Sequence, residues 1–104
     1  MKVVFHVDEV NKWSEATSNI RNLLAATDNV AIVLLVNGKA IEGYLDAANE
    51  TLLQSKQVTF HACHNAMKAH GITPQQLPAN VEVVPAGVLD LIKLQHLGYA
   101  YIKP

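Results

Sequence analysis

Charge is scarce in this sequence. Asp, Glu, Lys and Arg make up 16% of its 104 residues, against roughly 25% in an average soluble domain. Half of the chain is hydrophobic. A small protein has much surface for its volume, and so little charge leaves part of that surface uncovered. The shortfall points to an oligomer. The net charge is −1, and no Lys or Arg cluster supplies the basic footprint that phosphate backbones require. The aromatic residues are scattered, with no basic interleaving. Nucleic acid is therefore not an expected partner.

Cysteine is scarcer still. Cys63 stands alone, which excludes an internal disulfide and a Cys-x-x-Cys redox pair. Long apolar runs are missing as well: nothing approaches the roughly 20 residues of a membrane span. The opening "MKVVFHVDEV" breaks its apolar run at His6 and Asp8, too early for a secretory segment. The expected location is the cytoplasm, with no membrane partner. G-x-G-x-x-G, P-loop, H-E-x-x-H and G-x-S-x-G patterns are all absent. Asp8, Glu9, Glu42 and Asp46 fall in different loops, with nothing to pair them for acid–base work.

Periodicity organises what remains. "KVVFHV" (Lys2–Val7) reads as a buried strand. Trp13, Ala16, Ile20, Leu23 and Leu24 recur at helical spacing and predict a helix from Lys12 to Ala26. "NVAIVLLV" (Asn29–Val36) is apolar on both faces, as in a parallel sheet covered by helices. "NGKAIEGY" supplies turn residues, and a shorter helix is predicted over Tyr44–Gln54. "QVTFHA" is a third strand, followed by a two-turn helix to His70 that Gly71 and Pro74 stop. "NVEVVP" is a fourth strand, Val88–Leu97 a last helix closed by Gly98, and "YAYIK" a fifth strand. This alternation predicts one α/β domain, residues 1–104, with a mainly parallel sheet and helices on both faces.

The last helix, "VLDLIKLQHL", is apolar on more than one stripe. Such a helix packs against more than its own sheet. Val88, Leu89, Leu91, Ile92 and Leu94 are expected to divide between the sheet and a neighbouring subunit.

In open parallel sheets, ligands bind beyond the carboxyl ends of the strands. The loops there carry His6 and Asp8, Asn37 and Gly38, Cys63 and His64, and Pro85 to Gly87. Only one of them holds a nucleophile. Cys63 falls where strand gives way to helix, and unpaired N–H groups at a helix start favour an anion. Imidazoles nearby favour the thiolate too. On this reading Cys63 is partly exposed and reactive; the alternative is a small buried hydrophobe. His61 and His6 lie within strands, where a satisfied core histidine is the simpler explanation, and His70 suits a helix C-terminus. A metal reading would use His61, Cys63, His64 and His6, but H-x-C-H at one junction does not match zinc spacings.

The stretch "VTFHACHNAMKAHGI", with "NVEVVPAGVLDLIKLQHLGYAYIKP", resembles the DsrE/DsrF-like family of small sulfur-metabolism proteins. A-C-x-N-x-M-K-x-x-G-I and V-V-P-A-G-V are its specific parts, and "KVVFHVDE" and "VLLVNGKAI" fit as well. The resemblance implies a three-layer α/β/α fold with a five-stranded, mostly parallel sheet. It implies a homo- or hetero-oligomer, often a trimer or hexamer, with a homo-oligomer expected here, and a cysteine after the third strand that carries sulfur as a persulfide. Cys63 matches that position.

The expected function is a cytosolic sulfur carrier, transferring sulfur between donor and acceptor proteins rather than turning over a substrate. Cys63 is the candidate catalytic residue. His61, His64, Asn65, Asn37, Gly38, His6 and Gly87 are candidates to line its pocket, with no cofactor and no metal expected. A small-ligand or metal-binding oligomer without turnover is the alternative, and an assembly module with an inert cysteine is a third.

Overall fold

The computed structural model describes residues 1–104. Its strands are β1 (Lys2–Val7), β2 (Ala31–Val36), β3 (Val58–Cys63), β4 (Val81–Val84) and β5 (Ala100–Ile102). They form one sheet in the order β4-β3-β2-β1-β5, with every pairing parallel. The helices are α1 (Trp13–Ala26), α2 (Glu50–Leu53), α3 (His64–Ala69) and α4 (Gly87–His96). None is long and apolar enough to cross a membrane.

The two faces of the sheet are unlike. Val3, Phe5, Leu34, Val36, Phe60 and Ala62 point to one side, where they pack with Trp13, Ile20, Ile41, Tyr44 and Met67 into the main core. On the other side Val4, Val33 and Leu35 form a smaller cluster with Leu94 of α4. Both faces of β2 are thus covered, which explains its unbroken apolar run.

The helix expected over Tyr44–Gln54 is broken. Residues Gly38–Leu45 and Ala47–Asn49 form 3-10 turns, and α2 is only four residues long. Asp46 is extended, and its side chain accepts the Ala48 N–H at 2.9 Å, so the chain restarts there as at a helix N-cap. Upstream, the Trp13 indole donates to the Ala40 carbonyl at 2.8 Å. The indole lies so close to Gly43 that a Cβ there would be 2.0 Å from Nε1. The restart at Asp46 is local, whereas tertiary packing by Trp13 sets the turns before it.

Helix α4 divides its apolar residues between two sides. Leu94 is buried and Leu91 half-buried toward the sheet, whereas Val88, Leu89 and Ile92 are 67%, 43% and 49% exposed. Gly98, at φ 91°, ends the helix in the left-handed conformation that glycine adopts without a Cβ penalty.

Candidate functional site

Three polar or charged side chains are buried: His6, His61 and Asp90. His6 and His61 lie in one register row, each paired with Leu35, which packs toward α4. Asp90 comes from the first turn of α4. His61 and Asp90 meet between the sheet and this helix. Burying such groups is costly unless each is hydrogen-bonded, and each is.

Cys63 lies at the carboxyl end of the sheet, packed with the main core. It is the last residue of β3 and the N-cap of α3. Its Sγ accepts the Ala66 N–H at 3.4 Å and the Gly87 N–H at 3.3 Å. The second donor is the first residue of α4, so amides from two helix starts converge on one sulfur. Partial exposure was expected, but Cys63 is only 5% exposed. The chain after β4 closes over it, because the Gly87 amide can reach the sulfur only if that loop folds onto the end of β3.

Asn37 follows β2, and the Val36–Ala62 register places it beside Cys63. Its side-chain oxygen lies 2.8 Å from His6 Nε2, and His6 Nδ1 lies 2.6 Å from the Tyr101 hydroxyl. With the amide oxygen turned to the ring, Nε2 carries the proton and Nδ1 accepts from Tyr101. Asn37 also packs on Gly87: a Cβ there would lie 3.1 Å from its amide nitrogen and 3.2 Å from its own Cβ. Glycine is what lets α4 begin this close to the sheet. Gly38, at φ 56°, abuts the Asp8 carbonyl, 2.9 Å from where its Cβ would be.

The remaining candidates are placed differently. His61 is two residues from Cys63, yet its ring serves other partners: Nδ1 meets Asp90 Oδ2 at 2.7 Å and Nε2 meets Glu82 Oε2 at 3.2 Å. His64 is half-buried and Asn65 exposed, and neither side chain makes a hydrogen bond. The structure therefore brings Cys63, Gly87, Asn37 and His6 into one connected group, with Gly38 at its border. His61 ties β3 to α4 instead. No three His, Cys, Asp or Glu side chains are arranged to hold a metal ion.

Sequence reasoning missed Asp90, Glu82 and Tyr101. Asp90 had a readable signal: an acid on the Gly87–Asp90–Leu94 stripe faces inward with Leu94 and needs a buried partner. Near the sheet edge, Lys103 bonds the Asp8 carboxylate at 2.8 Å. That bond lowers the pKa of Asp8 and raises that of Lys103.

A search of curated proteins gave no match. Among solved structures, a protein of unknown function from Methanobacterium thermoautotrophicum, MTH1491, is similar over 99% of this chain and 98% of its own. It is 31% identical in sequence, with a TM-score of 0.85. The model of the DsrE/DsrF-like family matches residues 1–104. With its all-parallel five-stranded sheet and a cysteine at the end of β3, the chain belongs to the DsrE/DsrF-like family.

Proposed function

We propose that the protein is a cytoplasmic sulfur carrier that holds sulfane sulfur on Cys63. The observation that carries this reading is the pair of backbone N–H groups aimed at Sγ. Backbone donors at helix starts suit an anion, and the thiolate is the form of cysteine that attacks sulfur. Membership of the DsrE/DsrF-like family supports a sulfur-relay role.

The chemistry balances without an oxidant. The Cys63 thiolate attacks the outer sulfur of a donor persulfide, R–S–SH. A new S–S bond forms to Cys63, the donor's S–S bond breaks, and the donor leaves as R–S⁻. An acceptor thiolate then takes the same sulfur and restores the Cys63 thiolate. With no second cysteine in the chain, no intramolecular disulfide can discharge the sulfur, so donor and acceptor are both partner proteins. The Pro85–Gly87 loop has to move for either to reach it. Gly87 and Ala66 donate to the sulfur, and Asn37, held by His6, lines its approach. The exposed Val88 and Ile92, one turn apart on α4, suit burial in a homo-oligomer, a trimer or hexamer.

A second reading also has an observation in its favour. A sulfur that is 5% exposed and accepts two amides is a competent structural cap joining α3 to α4. Intact mass after incubation with glutathione persulfide separates the two. The carrier reading expects one added sulfur on the folded wild type and none on Cys63→Ser. Folded wild type that gains no sulfur, but gains it once unfolded, would leave the cap alone.

A further inference from the structure

One buried carboxylate is only half used. Asp90 is 9% exposed, and Oδ2 is its one hydrogen-bonded oxygen, facing His61 Nδ1 at 2.7 Å. Oδ1 has no partner. No side-chain oxygen that is sealed from solvent lacks a hydrogen bond, so Oδ1 must open to solvent. Asp90 lines a cavity of about 70 Å³ between the end of β4 and the first turns of α4, together with Val84, Pro85, Ala86, Leu89 and Lys93. Water can reach this oxygen through the cavity, and a better donor that displaces that water can bond to it. The chain supplies a donor to Oδ2 alone.

We propose that this cavity is a socket for the guanidinium of an arginine presented by a protein partner, with Asp90 Oδ1 as its acceptor. A liquid water takes up about 30 Å³, so the cavity has room for a small planar head group. Its apolar walls suit the face of a guanidinium, which is more weakly hydrated than an ammonium. Charge agrees. Glu82, 70% exposed on the neighbouring strand, adds a second carboxylate. Lys93 is the single ammonium on the rim, and it forms no ion pair. The wall is apolar, with Val84, Pro85 and Ala86 beside Leu89, which is 43% exposed. A polar anchor inside an apolar surround is how protein partners seat a hot-spot arginine. Free cations gain nothing from that surround.

The inference does not depend on whether Cys63 carries sulfur. It does place a partner against Pro85 and Ala86, immediately before the Gly87 amide that holds the sulfur.

The test is an NMR titration of the whole chain with N-acetyl-arginine amide at constant ionic strength, read at the His61 ring and the Leu89 methyls. Wild type is expected to show weak, saturable shifts. Asp90→Asn keeps an oxygen for His61 but loses the charge, and saturation should vanish. Lys93→Gln, at an exposed position, should saturate at a lower probe concentration because the competing ammonium is gone. It keeps the test decisive even if the Asp90 variant does not fold. Identical non-saturating drift in wild type and Asp90→Asn would overturn the proposal, as would weaker binding by Lys93→Gln. N-acetyl-lysine amide saturating at a lower concentration than the arginine probe would overturn the guanidinium assignment.

Discussion

Replacing Cys63 with alanine removes the acceptor for two backbone N–H groups at once. Ala66 and Gly87 are both buried, and Cys63 itself is 5% exposed. Water therefore cannot take over the bonds that Sγ accepts at 3.4 and 3.3 Å. A buried donor left without a partner costs about 1–3 kcal/mol. Sulfur is a weak acceptor, so the lower end of that range applies to each amide. With the lost packing of the sulfur atom, the destabilisation should reach about 2–3 kcal/mol. For a domain of this size that lowers Tm by roughly 10–20 °C. Serine keeps an acceptor at the same N-cap position, so Cys63→Ser should lose only about 1 kcal/mol. Urea unfolding of the three proteins at pH 7 measures both differences. An alanine variant within about 0.5 kcal/mol of wild type would mean that the two amides do not depend on the sulfur. The convergence of α3 and α4 on Cys63 would then carry no energetic weight, and the argument for an anion-binding pocket would fall with it.

Two further outcomes follow from the packing. Burial holds the Tyr44 hydroxyl well above the ordinary tyrosine pKa of 10.0, so the folded state keeps a proton that the unfolded chain releases. Stability should be undiminished by this group below pH 10 and fall as pH rises beyond it. Tyr44→Phe should lose that alkaline slope, together with about 1 kcal/mol at neutral pH for its 2.7 Å hydrogen bond to the His61 carbonyl. Urea midpoints between roughly pH 8 and 11 test this, and an equal slope in both proteins would contradict it. Ile92 is 49% exposed on the outer side of α4, so Ile92→Asp should leave the fold intact and disrupt subunit contacts. Sedimentation equilibrium at micromolar concentration should give wild type a mass above the monomer and the variant a monomer mass. A folded, soluble wild-type monomer would refute the assembly argument.

The strand–helix order was legible because each strand has to be apolar in a way that only a covered parallel sheet accepts. "AIVLLV" needs helices on both sides, and β1 runs over the Lys2–Val7 range expected of it. The end of α4 was legible at Gly98, since glycine there relieves a left-handed turn. Cys63 stood out for a chemical reason: it is the one nucleophile among the loops at the carboxyl edge. That the apolar residues of α4 would not all face the sheet was legible too, because they exceed one stripe; which of them do, Leu94 inside and Val88 and Ile92 outside, was not.

What the sequence alone could not decide depends on contacts between residues far apart in the chain. The turns over Gly38–Leu45 are held by Trp13, which lies on Gly43 and takes the Ala40 carbonyl, 27 positions away from its own. Local spacing holds no trace of that contact. His61 was a candidate neighbour for the thiol until the fold brought Asp90, 29 positions on, to its Nδ1. His6 found its hydroxyl partner 95 positions away, on β5. Cys63 is enclosed for the same kind of reason: the chain after β4 returns to set the Gly87 amide on its sulfur. Periodicity reports which face a residue turns toward the core, since that is set within a few bonds. Whether a side chain on that face meets solvent, a carboxylate or another helix is set by where the rest of the chain returns, and only the tertiary structure decides it.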